Sequence, residues 1–257
     1  MVLKRLKLWG ILLAFGMLSG AQQTSTEASP RTDSSPEVTL HYGIEWRLIR
    51  AGNARLTWNP RPAPLERAQI QLESAGLVSK LYRVDDRYFV NFNDGGCPTD
   101  VLLKSEEGSR KRETRIVFDH ELRKVSYLEK DMVKDTVILR KELTIPECAY
   151  DIVGALYNLR LKRLQPGQST HIPITDGKKL VSARVEAQER ETVVTPAGTF
   201  NTVRYEAFLF NNALYQKRGR LFIWLTDDER RLPVQIRVRM QFHVGTITLQ
   251  LEKEERS

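Results

Sequence analysis

From Leu40 onward, residues two apart share a character over and over, and that period of two dictates extended structure. Leu40, Tyr42, Ile44, Trp46 and Leu48 alternate with His41, Gly43, Glu45 and Arg47. Successive side chains of a strand point to opposite faces, so such a run packs one face on a core and turns the other to water or a second layer. Ala54, Leu56 and Trp58 repeat the pattern, with Ala51-Gly52-Asn53 read as the turn between the two runs. Further sets follow at Ala68–Leu72, Tyr88–Phe92, Val101–Leu103, Thr114–Phe118, Val125–Tyr127, Val133–Leu143, Val181–Ala187, Val203–Leu209, Leu221–Leu225, Val234–Phe242 and Ile247–Leu251. Turn residues separate them: Glu107-Gly108, Asp119-His120, Asp176-Gly177 and Asp227-Asp228.

This pattern predicts a mainly β protein: a single antiparallel, strongly curved sheet of a dozen or more strands. A sheet that long twists and curls, and closure into a barrel or half-barrel removes exposed edges. A two-sheet sandwich satisfies the same pattern. One segment departs from it. Asp151–Arg163 has helical spacing, with Asp151 as N-cap, Ile152, Ala155, Leu156 and Leu159 on one face, and Pro166-Gly167 as a stop. It is expected to cover the concave side of the sheet. Residues 77–82 are expected to form a second, shorter helix packed on the sheet.

The N-terminus reads as an export signal. Lys4, Arg5 and Lys7 precede the apolar run 8–18, and Ser19-Gly20-Ala21 suits cleavage after Ala21. Residues 22–37, rich in Ser, Thr, Gln and Pro, read as a disordered linker, and 38–253 as a single domain. The expected location is the periplasm or the exterior, with no stable membrane-spanning segment after cleavage. Losing the three basic residues of the leader lowers the net charge from +8 to +5. Arg110–Arg112 is a short basic cluster at a hairpin tip, without the aromatic-lined stripe that nucleic acid requires, so no nucleic-acid partner is expected. In an oxidising compartment Cys97 and Cys148 are expected to form a disulfide, with two separate buried thiols as the alternative.

Five segments, Leu40–Gly52 (LHYGIEWRLIRAG), Asp151–Arg160 (DIVGALYNLR), Thr195–Phe200 (TPAGTF), Leu221–Pro233 (LFIWLTDDERRLP) and Gly245-Thr246-Ile247, resemble in order and spacing the bacterial exported family known as domain of unknown function 3108. The resemblance spans Leu40 to Leu251 and implies a periplasmic β-rich protein with no established reaction. The cysteine pair lies outside the resembling segments. Physically, Pro196 and Gly198 suit a tight turn, as do Asp227 and Asp228 with Arg230 or Arg231 paired to them and Pro233 opening the next strand.

No nucleophile elbow, phosphate loop or metal-ligand spacing occurs: His41, His120, His171 and His243 are scattered, so no catalytic residue, metal or cofactor is assigned. Tyr42, Trp46, Tyr157 and Trp224 are candidates to line an apolar cavity, with Arg160 at its mouth meeting an anionic headgroup; ordinary core packing is the competing account of the aromatics. The expected function is non-enzymatic binding or scaffolding of a lipid-like or other envelope component. The alternative is an envelope hydrolase or carbohydrate-active enzyme using dispersed carboxylates such as Asp227 or Asp228. Nothing in the sequence fixes an oligomeric state.

Overall fold

The computed structural model describes residues 37–59, 66–210, 213–216, 218–241 and 245–256. The export signal, its cleavage point, nearly all of the linker, Phe242 and His243 lie outside them.

Among the described residues fourteen strands follow one another. The first eight are β1 (Val38–Trp46), β2 (Ile49–Trp58), β3 (Arg67–Ser74), β4 (Val84–Phe92), β5 (Pro98–Glu107), β6 (Arg110–Asp119), β7 (Lys124–Asp131) and β8 (Thr136–Thr144). The rest are β9 (Ser169–Thr175), β10 (Leu180–Thr195), β11 (Gly198–Ala207), β12 (Gly219–Thr226), β13 (Pro233–Met240) and β14 (Thr246–Arg256). Each pairs antiparallel with its sequence neighbour, except that β8 and β9 do not pair, and β1 pairs with β14 instead. The result is one 14-stranded sheet with β8 and β9 at its edges, curved but not closed.

Among the described residues two helices interrupt the meander: α1 (Gly76–Leu81), between β3 and β4, and α2 (Ile152–Leu161), between β8 and β9. The expected short helix therefore forms, but it buries no residue; Leu77 and Leu81 are 67% and 70% exposed. α2 sits on the inner face of the sheet. Val153 and Tyr157 pack with a core drawn from β1–β7 and from β10 and β12–β14, while Ala155 and Leu159 pack with a core built by β9–β12. A helix wedged between two apolar walls needs no polar side, which is why its apolar residues are spread around it rather than confined to one stripe.

The expected turn at Ala51-Gly52-Asn53 is corrected. Trp46 pairs with Ile49, so the turn is Arg47-Leu48, both with positive φ (51° and 67°). Gly52 lies inside β2, where a Cβ would stand 2.4 Å from the Glu73 carbonyl oxygen of β3. The glycine permits close approach of two strands, a role that reads as a turn from sequence alone.

The missing β8–β9 pairing is bridged by the chain leading to α2. Tyr150 exchanges backbone bonds with β9, its N–H donating to Pro173 (2.8 Å) and its carbonyl accepting from Thr175 (2.9 Å). The Cys97–Cys148 disulfide ties the same segment to the β4–β5 turn, as expected. His120 reinforces the tie, its two ring nitrogens within 3.0 Å and 2.8 Å of the Glu147 and Pro98 carbonyl oxygens.

Candidate functional site

α2 is clamped at both ends, and the clamps decide where space is left. Asp151 caps its N-terminus, accepting from Val153 N–H (2.9 Å) and Gly154 N–H (3.0 Å), while Tyr88 on β4 donates to the same carboxylate (2.8 Å). Burial pushes the Asp151 carboxyl up despite these bonds. Gly154 lets the helix touch β4: a Cβ there would stand 2.9 Å from the Phe92 ring. At the other end Arg160, only 4% exposed, donates to the carbonyls of Arg231 (2.8 Å) and Arg230 (2.6 Å) and stacks 4.2 Å over Trp58.

Between these clamps the helix does not fill the sheet. An apolar cavity of about 290 Å³ remains among Tyr42 and Ile44 of β1, Leu72 of β3, Leu156 of α2, Ile223 of β12 and Ile247 of β14. These strand positions run toward the end of the roll that carries the Arg47-Leu48 turn and α1. Leu48 there is 92% exposed.

Asp86 breaks the apolar wall of the cavity. Its parity along β4 matches Tyr88, Val90 and Phe92, so it faces inward, and it is 4% exposed. Among the described residues its Oδ1 has no hydrogen-bond partner. Burial pushes its pKa up to about 7; bonds from the Ser105 side chain and the Glu106 backbone oppose this, and Glu107 adds to it. The parity of the second aspartate in Val84-Asp85-Asp86-Arg87-Tyr88 was the signal that could have marked it.

The sequence candidates do not converge. Tyr42 lines the cavity, its hydroxyl donating to the Pro233 carbonyl (2.7 Å). Trp46 is half-buried at the end of β1, with Arg47 5.7 Å above it. Tyr157 packs edge-on to Trp58, beside Arg160. Arg160 is thus not at a mouth meeting a headgroup: it is buried and spent on backbone carbonyls at the far end of the helix. Trp224 faces away from the cavity, since Ile223 beside it on β12 lines the cavity.

A family model for proteins of unknown function, DUF3108, matches residues 38–252. The chain belongs to the DUF3108 family. No curated protein matches it. A β-barrel-like protein of domain of unknown function DUF1849 from Brucella abortus shares the fold of this DUF3108 chain, with a TM-score of 0.56 at 10% identity, over 87% of this chain and 98% of that one. A Bacteroides fragilis protein with a YmcC-like fold aligns at 10% identity over 87% of this chain and 96% of that one, with a TM-score of 0.31.

The motifs that carried the family resemblance are turns and clamps in this DUF3108 member. Pro196 and Ala197 form the β10–β11 turn, and Gly198 has φ of 135°. Asp228 accepts from the Thr226 hydroxyl (2.5 Å) and the N–H groups of Arg230 (3.1 Å) and Arg231 (3.0 Å). Desolvation pushes its carboxyl up, but the Thr226 and Arg231 bonds and the Arg230 guanidinium outweigh it and hold the group below its ordinary value. Asp227 is paired with Arg190 (2.7 Å). Arg231, with φ of 50°, is buried and donates to the Tyr205 hydroxyl, and Pro233 opens β13. The turn therefore presents the carbonyls of Arg230 and Arg231 to Arg160, and its work is to hold α2. Among the described residues no group of three or more His, Cys, Asp or Glu side chains is placed to hold a metal ion, and no helix is long and apolar enough to cross a membrane.

Proposed function

We infer that the protein is a non-enzymatic, exported binding or scaffold protein that takes a lipid-like or other apolar envelope component between the sheet and α2. The observation that carries this reading is the unfilled apolar cavity, which is walled by both halves of the sheet and by the helix. Its volume is at the lower end of the range for ligand sites, about 300–1,000 Å³, which suits a short apolar tail rather than a whole phospholipid. Asp86 supplies the polar handle. A buried carboxyl in the wall of an apolar space suits a ligand hydroxyl or amine, and it disfavours a carboxylate head. The Cys97–Cys148 disulfide suits an oxidising compartment, and export through a leader cleaved after Ala21 follows from the sequence. N-terminal sequencing of the mature protein from the periplasm tests the cleavage.

The binding test uses protein purified without detergent. Native mass spectrometry is expected to find a co-purifying amphiphile. After its removal a fluorescent alkyl alcohol should bind saturably to the wild type and not to Leu156→Trp, whose indole fills the cavity. Circular dichroism checks that the variant keeps its sheet. Wild-type protein that is consistently ligand-free and does not bind the probe overturns the reading.

A further inference from the structure

The opposite face of the same strands carries a second, chemically different groove. It measures about 420 Å³ and is lined by Arg204, Arg220, Arg237 and Arg239 around Phe222 and Trp224, with Glu186 as the acid in the lining. We propose that this groove is a binding site for a phosphate-type dianion, held by the guanidinium groups of Arg237 and Arg239. The proposal does not rest on the apolar-cavity reading, because none of the four arginines borders that cavity.

Sheet register makes the groove. Arg237 and Arg239 are two apart on β13 and so share a face. Across the β12–β13 pair, Arg237 stands opposite Phe222, and Arg239 stands opposite Arg220. Like charges directly opposite on neighbouring strands destabilise a sheet unless each has an anion beside it; Arg220 has Glu206, and a bound anion would serve Arg239.

The four arginines are not equivalent. Arg220 is neutralised by Glu206 through two parallel bonds of 2.6 Å. Arg204 pairs with Glu189 (2.7 Å) and Glu191 (3.2 Å). Among the described residues neither Arg237 nor Arg239 has a salt bridge. Each lies against a ring, Arg237 5.0 Å over Trp224 and Arg239 5.6 Å over Phe222, as Arg204 (5.7 Å) and Arg220 (4.8 Å) also do at Phe222. A ring beneath a guanidinium leaves its N–H groups for a partner, and a pair of them matches phosphate geometry bidentately. The rings are themselves fixed: both are buried, and Trp224 Nε1–H donates to Glu191 (2.7 Å). Burial, then Arg239, loosen the hold of Arg237 on its proton; Glu191 opposes them and Arg204 adds to them. Two neighbouring arginines with no salt bridge among the described residues, beside two that are already paired, match a ligand group of charge −2.

Isothermal titration of the full mature protein with inorganic phosphate at low salt tests the proposal, with flotation on phosphatidic acid vesicles and phosphatidylcholine vesicles as the lipid arm. The wild type should bind one phosphate saturably, or bind the phosphatidic acid vesicles but not the phosphatidylcholine ones. The first result assigns a soluble phosphate source, and the second a lipid headgroup. In the positive arm Arg237→Gln/Arg239→Gln should lose about tenfold or more in affinity, while Arg115→Gln, an exposed arginine on β6 paired with Glu113, should change nothing. The phosphate arm has a second readout: the anion should raise the melting midpoint of the wild type and not that of the double variant. If the double variant does not fold, Arg239→Gln, at an exposed position, carries the same comparison. Absence of saturable binding in both arms overturns the proposal, and so does binding that the arginine substitutions leave intact.

Discussion

Replacing Asp86 by Asn removes an ionisable group from the wall of the apolar cavity while keeping its shape, and the consequence is a change in how stability depends on pH. In the folded protein the Asp86 carboxyl titrates at about 7, against 3.8 for an unperturbed aspartate. The dominant cause is burial. The Ser105 and Glu106 bonds act against it, and the nearby Glu107 and Asp85 carboxylates act with it. The folded value lies above the unfolded one, so the protonated group contributes its full share of stability below about pH 4. That share is lost as the pH rises toward 7, because the unfolded chain ionises first. Three pH units at about 1.4 kcal/mol each give a loss of about 4 kcal/mol in full, about 3 kcal/mol of it between pH 5 and 8. Glu129, pushed up to about 8 by burial despite its ion pair with Arg112, loses stability in the same direction. The wild type should therefore be markedly less stable to urea at pH 8 than at pH 5, and Asp86→Asn should abolish about 3 kcal/mol of that difference, while Glu129 and the other carboxyls that burial raises, Glu107 and Asp151, supply the remainder. Urea unfolding at both pH values, with the disulfide intact, measures it. Parallel pH dependence in the two proteins would refute the account of Asp86 as a buried, protonated acid.

Three further substitutions probe the clamps on α2. Cys97→Ser/Cys148→Ser opens a loop with a sequence separation of 51 residues and should cost about 4 kcal/mol by chain entropy, read as a fall in urea midpoint that reductant reproduces in the wild type. Arg160→Leu strips the partner from two carbonyls of the Arg230-Arg231 turn and should cost about 3 kcal/mol; a change under about 1 kcal/mol would show the clamp to be idle. Asp151→Ala removes the N-cap and should cost about 1–2 kcal/mol, with α2 amides exchanging faster in hydrogen exchange than those of β5.

How much of this was legible in the sequence depends on which interactions are local. Strand parity is local: the alternation of Leu40, Tyr42 and Ile44 reports directly on one face, and all three are buried. The N-cap at Asp151 is equally local. The order of strands is not. Nothing in the alternation says that β1 pairs with β14, or that β8 and β9 are left apart. The turn after β1 misled for a physical reason: Gly52 and Asn53 have turn chemistry, but the packing of β2 against β3 claims the glycine, and the turn falls to Arg47 and Leu48 at positive φ.

The site was less legible than the fold, because a cavity is a property of what fails to meet. Tyr42, Tyr157 and Trp224 all read as candidates, since an aromatic in a β protein carries the same signal whether it lines a space or fills one. Their places are decided by α2. The helix is held at one end by Arg160 on Trp58, which consumes Tyr157 in packing, and the space that remains lies among Tyr42, Ile44, Leu156 and Asp86. Arg160 looked like a headgroup ligand because a cation in the last turn of a helix suits the dipole and water alike. What it binds instead, the carbonyls of Arg230 and Arg231, is 70 residues away in the chain and appears in no local pattern. The same distance effect hid Arg237 and Arg239. Alone they read as the solvated face of a strand, and only the register that sets Arg239 against Arg220 turns them into a concentration of charge. In this fold, then, each site is written by pairings across the sheet or against the helix.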